Sequence, residues 1–308
     1  MSRVLVTGAA GFIGSHLVHA FLQDGAQVRG LDNLSSGRLE NLDGIRDRID
    51  FRTADVQDQD ALRSACEGVD YVFHEAAIPS VPKSVHDPIG TDGPNLGGTL
   101  KLLEASRQAG VKRFIFAASS AIYGNNPTLP KREDMLPEPV SPYAVQKMAS
   151  ELYMSSYAQV FGLETVALRY FNIFGPRQDP SSQYSGVLAR FISLMSNNET
   201  PTIFGDGETS RDFTYIDNVV QANKLAAKAG SAVSGRVYNV ATGVRVTLNQ
   251  AYAVIRDISG YTGDVKYMPE REGDVRHSVA DISRAQTELG YRVVATFEEG
   301  LRKMLSAS

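Results

Sequence analysis

The sequence predicts an α/β protein built on a parallel sheet with helices on both faces. Two observations lead to this fold class. Over the first two-thirds of the chain, short runs rich in Val, Ile and Phe alternate with amphipathic segments of helical length. A glycine-rich turn, VTGAAGFIG, also joins the first apolar run to the first amphipathic segment. Strands that are apolar throughout are buried on both faces, so the sheet should be doubly wound.

Six strands and four helices account for this part of the chain. The predicted strands cover residues 3–8, 26–32, 49–55, 69–77, 112–119 and 164–172. The predicted helices cover residues 12–24, 58–67, 95–109 and 142–161. After residue 172 the sequence FGPRQDPSSQYSG, rich in Pro, Gly, Ser and Gln, opens a more irregular region. We therefore predict a first domain over residues 1–172 and a smaller α/β domain over 173–308, with the segment near 211–229 packing back on the first.

Composition excludes several classes of protein. With 308 residues, 43% of them hydrophobic, the chain can bury a large core. Its net charge of −4 argues against bulk nucleic-acid binding, so an anionic ligand needs placed arginines and backbone amides. No apolar run approaches the roughly 18 residues of a membrane span, and the N-terminus lacks a signal-peptide pattern. One cysteine, Cys66, and five scattered histidines predict neither a disulfide nor a metal site, and the cytoplasm is the expected location.

The glycine-rich turn has the spacing of a phosphate-binding loop. Gly8, Gly11 and Gly14 lie directly after the first strand and open the first helix, where small residues let the backbone approach a pyrophosphate. Asp32 ends the second strand, and an acid there binds both hydroxyls of an adenosine ribose and repels a 2′-phosphate. The pattern therefore favours NAD over NADP, although the nearby Arg38 keeps NADP open as an alternative.

A tyrosine and a lysine four residues apart suggest acid–base chemistry. In SPYAVQK, Ser141 is a plausible N-cap, and Tyr143 and Lys147 share one face of the following helix. A phenol has a pKa near 10, but an ammonium group and a helix N-terminus both favour the phenolate. An amphipathic helix that uses Tyr as core filler is the alternative. Ser119, at the carboxyl end of a predicted strand, lies where ligands gather in open α/β sheets, and it completes a possible reaction centre.

Seven motifs follow one another in an order that indicates a family. They are TGAAGFIG (7–14), DNLSSGR (32–38), SSAIYG (119–124), SPYAVQK (141–147), RYFNIFGPRQ (169–178), RDFTYIDN (211–218) and REGDVRHSVAD (271–281). On these motifs the chain resembles the extended short-chain dehydrogenases/reductases, specifically the NAD-dependent UDP-hexose 4-epimerases. The resemblance covers almost the whole chain. It implies a Rossmann-type doubly wound sheet whose smaller C-terminal domain binds a nucleotide sugar.

The resemblance implies NAD as the cofactor and a set of residues that bind it. They are Gly8, Gly11, Phe12, Ile13, Gly14, Asp32, Asn33, Ser36, Gly37, Asp55, Val56, Ala76, Ala77, Asn95, Tyr143 and Lys147. For Asp55 and Val56, which close the third strand, the alternative to a contact with adenine is a simple strand-end cap.

The resemblance also implies a reaction. Tyr143 takes the proton of the sugar 4-hydroxyl while hydride passes from C4 to NAD⁺, and the 4-keto sugar turns before hydride returns to its other face. Ser119 would hydrogen-bond O4, and Lys147 would hold the nicotinamide ribose. Related 4,6-dehydratases carry an Asp-Glu pair after the hydroxyl residue, and related decarboxylases retain a glutamate. Here Ser120 and Ala121 follow, which favours epimerisation.

A UDP-sugar substrate implies a second set of residues. They are Ser80, Ser119, Ser120, Tyr143, Asn172, Val187, Thr202, Ile203, Phe204, Arg211, Arg271, Asp274 and Ser278. Arg211 and Arg271 would neutralise the phosphates, the alternative being solvated surface arginines. Ser278 stands where relatives restricted to glucose and galactose carry a tyrosine, so it leaves space for an N-acetyl group. Lys83 and Arg190 keep a UDP-glucuronate 4-epimerase open as an alternative.

Two further expectations concern partners and class. Family members commonly dimerise through the helices predicted at 95–109 and 142–161, so we expect a homodimer, with ordinary core packing as the alternative. The apolar residues that suggest it are Leu96, Leu100, Leu103, Val145, Met148, Leu152 and Met154. A non-catalytic NAD-binding sensor is the alternative from another class. Such proteins typically lose the tyrosine or the lysine, and this chain keeps both.

Overall fold

The computed structural model describes residues 2–179, 186–270 and 276–306. In chain order, its strands are β1 (Arg3–Thr7), β2 (Gln27–Asp32), β3 (Asp50–Thr53), β4 (Tyr71–His74), β5 (Arg113–Ser119), β6 (Glu164–Tyr170), β7 (Ile173–Phe174), β8 (Thr202–Phe204), β9 (Ser210–Arg211), β10 (Thr214–Tyr215), β11 (Arg236–Val240), β12 (Val246–Thr247) and β13 (Lys266–Met268). Its α-helices are α1 (Phe12–Gln23), α2 (Gln59–Cys66), α3 (Val81–His86), α4 (Pro88–Asp92), α5 (Gly98–Gln108), α6 (Pro142–Phe161), α7 (Val187–Ser196), α8 (Ile216–Lys228), α9 (Leu248–Ser259) and α10 (Phe297–Ser306).

A seven-stranded sheet, all of whose pairings are parallel, is the centre of the described structure. Its strand order is β11-β6-β5-β4-β1-β2-β3. The strand order therefore reverses between β1 and β4, which is the topological switch point where open α/β sheets bind ligands. The predicted Rossmann-type fold is confirmed.

Burial on both faces of the sheet explains its composition. Along β1, Val4 and Val6 pack on one face into the larger core cluster, whereas Leu5 packs on the other face. Helices α1 and α8 lie on the first face, and α2 and α5 cover the second together with α6. A strand buried on both sides needs an apolar residue at every position, which is why this run reads as continuous apolar sequence.

The six predicted strands and four predicted helices are present, with shifted ends. The strand predicted over 69–77 stops at His74, where the chain leaves the sheet. The helix predicted from residue 95 begins as an α-helix at Gly98, because residues Gly93–Gly97 form one turn of π-helix. The seventh strand, Arg236–Val240, was not predicted.

Part of the chain beyond residue 172 belongs to the central sheet. Helix α8, within the segment near 211–229, packs on α1, β5 and β6, and β11 pairs with β6. The remaining strands form two-stranded pairs, β10 with β7, β12 with β9 and β13 with β8. A boundary at residue 172 therefore matches the change in sequence composition, but it assigns β11, a strand of the central sheet, to the second domain.

Within the described residues, no helix is long and apolar enough to cross a membrane.

Candidate active site

Backbone contacts shape the phosphate loop. Gly8 has a positive φ of +66°, and a Cβ there would lie 2.8 Å from the backbone nitrogen of Ala76. A Cβ on Gly14 would lie 2.0 Å from the carbonyl oxygen of Gly8. Any side chain at these positions would therefore collide with backbone, and the loop, the start of α1 and the end of β4 stay in close contact. Gly11 caps α1 without a side-chain hydrogen bond, which leaves the first-turn N–H groups to a ligand such as a pyrophosphate.

Asp32 lies buried at the end of β2 and is fixed by the loops around it. Its Oδ2 accepts the Ala10 N–H at 2.9 Å, and its Oδ1 accepts the Leu34 N–H at 2.8 Å. Burial raises the pKa of this carboxyl, and the loop amides oppose that shift. Carboxylate oxygens have further lone pairs, so the group can still accept ribose hydroxyls. Arg38, the residue that kept NADP open, is paired with Asp179 at 2.6 Å.

The other predicted cofactor residues differ in what they offer a ligand. Phe12, Ile13, Gly37, Ala76 and Ala77 are half-buried around the phosphate loop, and Asn33 and Ser36 are exposed. Asn33 donates to Asp55 at 2.7 Å.

Val56 and Asn95 are both buried, and the structure uses their side chains for packing. The Val56 side chain packs so closely on Gly98 that a Cβ on this glycine would lie 2.7 Å from it. Asn95 accepts the Ile78 N–H at 2.7 Å and donates to Gln146 at 2.8 Å. It thus ties the loop after β4 to α6. This part of its chemistry is structural.

The structure brings together the three residues predicted to be catalytic. Ser119 is the last residue of β5, and its hydroxyl accepts the Ala121 N–H at 3.2 Å. Tyr143 lies at the second position of α6, close enough to Ser119 for the serine hydroxyl to lower the pKa of its phenol. Lys147, one turn further along α6, donates to the Ala117 carbonyl at 2.8 Å, and its Nζ lies 5.9 Å from the centre of the Tyr143 ring.

Local structure explains this convergence. The Ser141 side chain accepts the Ala144 N–H at 3.2 Å and caps α6, so the helix starts beside the end of β5. The Tyr143 N–H lies in the first turn and has no acceptor within the helix. It donates instead to the Ser84 hydroxyl of α3 at 3.1 Å. Both strand end and helix start are therefore anchored.

Burial dominates the electrostatics of the tyrosine and the lysine. It raises the pKa of Tyr143, and the Ser119 hydrogen bond lowers it. It lowers the pKa of Lys147 to about 8, against the carboxylates of Glu75 and Glu151, which raise it. The sequence suggested that Lys147 would favour the Tyr143 phenolate, but its ammonium group is held at Ala117. In the chain by itself Tyr143 is therefore a neutral phenol at pH 7.

Five of the predicted substrate residues line one cavity of about 240 Å³ on the C-terminal side of the sheet: Asn172, Val187, Thr202, Phe204 and Arg211. Its wall between residues 202 and 204 is β8, whose side chains alternate between cavity and core. Ile203 is therefore fully buried in the core, and only its backbone is near the cavity.

The remaining predicted substrate residues are dispersed. Ser120 is half-buried next to Ser119. Ser80 is 2% exposed and caps α3 by accepting the Lys83 N–H at 3.0 Å, so its hydroxyl serves the helix. Ser278 is half-buried and donates its N–H to the Ser210 carbonyl at 3.1 Å. Arg271 and Asp274 lie outside the described residues.

Three polar residues of the site region were not predicted. Gln178 lines the cavity, and its buried Oε1 has no hydrogen-bond partner. Asp212 is fully buried behind Arg211, and Glu75 lies at the end of β4. The only sequence signal for Glu75 is its place directly after an apolar strand, where the ligand edge of the sheet begins.

Fold and site together define a class, the short-chain dehydrogenase/reductase type of dinucleotide-binding enzyme, and comparison with known proteins refines it. The profile of the NAD dependent epimerase/dehydratase family matches residues 4–241, so the chain belongs to this family. The UDP-glucose 4-epimerase of Mycolicibacterium smegmatis is 40% identical over 305 residues, covering 98% of this chain and 96% of that one. The UDP-glucuronate 4-epimerase of Thermodesulfobacterium geofontis is 32% identical, covering 100% of this chain and 96% of that one.

Solved structures are similar over the whole chain. A UDP-glucose 4-epimerase from Thermotoga maritima with UDP-glucose is 41% identical, with a TM-score of 0.94 and coverage of 99% of this chain and 97% of that one. A UDP-N-acetylglucosamine 4-epimerase from Methanobrevibacter ruminantium M1, in complex with UDP-N-acetylmuramic acid, is 44% identical, with a TM-score of 0.95 and the same coverages. A Thermus thermophilus UDP-glucose 4-epimerase with NAD is 37% identical, with a TM-score of 0.89 and coverage of 99% and 98%. The predicted resemblance, the predicted class of isomerase and NAD as the cofactor are confirmed.

Proposed function

We propose that the chain is a UDP-hexose 4-epimerase that inverts C4 of the sugar through a transient 4-keto intermediate. The observation that carries this proposal is the group formed by Ser119, Tyr143 and Lys147 where β5 ends and α6 begins. Ser120 and Ala121 follow Ser119, so the acid pair that an elimination needs is missing from this loop. Oxidation of an alcohol and its reversal need only a base, a hydride acceptor and a sugar that can turn.

Each residue has one task in the proposed reaction. Tyr143 Oη accepts the proton of the sugar 4-hydroxyl, and Ser119 Oγ, which lies near the phenol, binds O4 and passes the proton on. Bound NAD⁺ supplies the acceptor for the C4 hydride and afterwards its donor. Lys147 would hold the nicotinamide ribose. Loss of the hydroxyl proton and the hydride makes a ketone, and their return to the opposite face restores the alcohol, so the sugar and cofactor end at their original oxidation levels.

In the chain by itself Tyr143 is a neutral phenol, so it must lose its proton before it can act as a base. Positive charge near the ring favours the phenolate, and bound NAD⁺ would add such a charge. The helix N-terminus at Tyr143 acts in the same direction. Tyr143 would therefore act as the base once the cofactor is bound.

A panel of UDP-sugars followed by NMR tests the proposal. The chain should interconvert a UDP-hexose with its C4 epimer without net NADH formation. Tyr143→Phe should reduce the rate by about 10²- to 10⁴-fold and retain bound NAD, because only the proton acceptor is lost. Tyr153→Phe, on the exposed side of the same helix, is the matched control and should keep full activity. Full activity of Tyr143→Phe would exclude it as the base, and a wild-type chain inert on every UDP-sugar would point to an NAD-binding sensor.

We propose that both the UDP-glucose/UDP-galactose and the UDP-N-acetylglucosamine/UDP-N-acetylgalactosamine pairs are substrates. Ser278 supports this, because a small side chain beside the β9 strand leaves room for a larger C2 substituent. Ser278→Tyr should reduce activity on the acetamido pair at least tenfold more than on the other, and Ser278→Ala should leave the ratio of the two unchanged. An equal loss on both pairs would contradict the role of Ser278 as a gate.

UDP-glucuronate is the alternative substrate, supported by the similarity to a UDP-glucuronate 4-epimerase. The two cationic residues that suggested this substrate are not in positions that favour binding of a sugar carboxylate. Lys83 on α3 and Arg190 on α7 are both exposed to solvent. The same NMR panel decides between the two, because only a glucuronate epimerase would turn over the carboxylated sugar faster than the neutral ones.

We also expect a homodimer formed through α6. Of the apolar residues that suggested it, Leu103 and Met154 are buried in the core, whereas Val145 and Leu152 are 51% and 62% exposed. Tyr153, Val160 and Phe161 extend this exposed face at spacings of seven and eight residues. Light scattering should give the mass of two chains, and Leu152→Glu should shift it towards that of one. An unchanged mass in Leu152→Glu would move the interface elsewhere.

The cytoplasm remains the expected location. Cys66, the one cysteine of the sequence, is buried with its Sγ 3.7 Å from the Ser106 hydroxyl. Burial raises the pKa of this thiol to about 11, so it stays protonated and unreactive.

A further inference from the structure

A carboxyl group lies at the base of the cofactor cleft and has no assigned task. Glu75 follows the last residue of β4 and donates its N–H to the Thr7 carbonyl of β1 at 3.3 Å. Its neighbour Ala76 is the residue whose backbone meets the phosphate loop at Gly8. Glu75 is therefore part of the edge of the sheet that approaches the dinucleotide, on the side of the switch point between β1 and β4.

Three side chains surround this carboxyl. The Tyr170 hydroxyl of β6 donates to Glu75 Oε1 at 2.9 Å, and Asn223 of α8 donates to the same hydroxyl at 2.8 Å. Lys147 of α6 is the cation that acts on Glu75 electrostatically. His74 precedes Glu75 but faces the other side of the sheet, where its ring bridges the hydroxyls of Thr7 and Thr99. Burial lowers the His74 pKa to about 3, so His74 is neutral and brings no charge.

The packing around Glu75 suits an amide better than a carboxylate. Glu75 Oε2 is buried without a hydrogen-bond partner, and so is Asn223 Oδ1. Both residues are bonded to the Tyr170 hydroxyl, and an amide at residue 75 would remove the buried charge. A buried acceptor without a donor costs stability, so the packing by itself disfavours the carboxylate form of Glu75.

Within the described structure, the carboxylate of Glu75 is not neutralised by an ion pair with a neighbouring cation. Glu75 and Glu151 are the carboxylates that favour the ammonium form of Lys147. Glu151 is bound to Arg169 by hydrogen bonds of 2.8 Å and 3.0 Å, and that pair is internally compensated. The described structure records no comparable cation bonded to Glu75, whose one hydrogen bond comes from a neutral phenol. Burial raises the pKa of Glu75 to about 7, so a positive charge placed near it would favour its carboxylate form.

We propose that the carboxylate of Glu75 favours the oxidised form of the bound cofactor, whose nicotinamide is positively charged, over the neutral reduced form. The proposal rests on NAD as the cofactor and gives the proposed epimerase a resting state that is ready to oxidise the next sugar. Since a charge near the ligand stabilises only the charged form, it changes the ratio of the two forms at equilibrium. The effect is independent of which sugar the enzyme accepts.

A redox titration of the holoenzyme without sugar tests this inference. Wild-type chain, Glu75→Gln and Glu67→Gln are equilibrated with a dye couple of fixed potential, and the bound NADH is read from its near-ultraviolet absorbance. Glu75→Gln should raise the ratio of bound NADH to NAD⁺ about tenfold, which corresponds to about 30 mV for a two-electron couple. Glu67→Gln removes one exposed charge of the same domain and should leave the ratio unchanged. An unchanged ratio in Glu75→Gln would overturn the proposal.

A further variant separates charge from packing. Glu75→Asp keeps the negative charge but shortens the side chain, so its ratio should stay close to that of the wild type. An equal shift in Glu75→Asp and Glu75→Gln would assign the effect to packing and overturn the proposal. If Glu75→Gln does not retain the cofactor, the dissociation constants of NAD⁺ and NADH for the stripped chain give the same ratio, because binding and reduction are linked.

The outcome is separable from that of the proposed function. The dye titration contains no sugar, and the NMR panel does not measure the potential. A chain that epimerises UDP-hexoses with an unchanged ratio in Glu75→Gln contradicts only the role of Glu75. A shifted ratio in a chain that epimerises nothing contradicts only the epimerase.

Discussion

The cofactor side and the substrate side of the cleft are built in different ways. The cofactor side is the edge of one continuous sheet, where the ends of β1, β2 and β4 lie next to each other in register. The substrate side consists of short pieces, the two-residue strands β9 and β12 and the three-residue strand β8, with the segment 276–280 beside β9. Sheet register and backbone contacts hold the cofactor side in place, whereas individual hydrogen bonds hold the substrate side.

Asp212 shows how the pieces of the substrate side are joined. Its carboxylate accepts the N–H groups of Thr242, Gly243 and Ala280, and also the Thr242 hydroxyl. One buried side chain thus connects the strand of Arg211 to the segment that contains Ser278. The cofactor chemistry therefore depends on a rigid frame, whereas substrate specificity can change through loops without disturbing that frame.

The largest effect is expected for a change in the rigid frame. In Gly14→Ala, the new methyl group would lie 2.0 Å from the Gly8 carbonyl oxygen, so α1 must move away from the loop. We expect a loss of about 4 kcal/mol in the free energy of unfolding and loss of bound NAD. Urea unfolding and the cofactor content of the purified chain measure both.

A glycine in open space is the matched control for this change. Gly230 has an extended backbone, and a Cβ there would meet no atom within 4 Å. Gly230→Ala should therefore keep both stability and NAD. If Gly14→Ala also kept its NAD, the rigidity of the cofactor side would be disproved.

A change at Asp212, which connects the segments of the substrate side, should have a smaller effect on stability and should not affect cofactor binding. Asp212→Ala leaves three backbone N–H groups without an acceptor, which costs about 3 kcal/mol. Because the segment around Ser278 loses its anchor, KM for the UDP-sugar should rise about tenfold while NAD remains bound. Steady-state kinetics and cofactor content test this, with the exposed Asp257→Ala as the control. Loss of NAD in Asp212→Ala would mean that the two sides are not independent.

A third prediction concerns the border between the two sides, where burial raises the pKa of Glu75 from 4.5 to about 7. Between these values the folded chain holds a proton that the unfolded chain has released, so the free energy of unfolding should fall as the pH rises from about 4.5 to about 7. The loss should be on the order of 2 kcal/mol. Urea unfolding of the cofactor-free chain at pH 5 and pH 8 measures it. Glu75→Gln should lack this fall in the free energy of unfolding. An equal pH dependence in the wild-type chain and the variant would contradict the prediction.

The same difference between the two sides decided how much the sequence could predict. Strands, helices and the phosphate loop follow from local patterns, because Gly8 and Asp32 act beside neighbours in the same βαβ unit. The Ser119–Tyr143–Lys147 group needed only a strand end and the next long helix. Asp212 acts through hydrogen bonds to segments distant in sequence. No local pattern distinguishes Asp212 or Gln178 from a surface residue. Ser80 shows a further limit, since the sequence does not distinguish a serine that caps a helix from one that binds a sugar, and the structure shows that it caps α3.

The smallest effect is expected at the ion pair that spans the two sides. Arg38, which follows the Asp32 strand, contacts Asp179, which follows the FGPRQ segment, and the Arg38 side chain is 57% exposed. Water screens such a pair, so Arg38→Ala should change the free energy of unfolding by less than about 1 kcal/mol. NADP should still be rejected, because the carboxylate of Asp32 remains in place to repel a 2′-phosphate. Binding of NAD and NADP to the wild-type and variant chains measures this, with Asp32→Ala as the change that should admit NADP. If Arg38→Ala instead weakened NAD binding tenfold, the contact between the two sides would be part of the cofactor site, and the cleft would have to be treated as one unit.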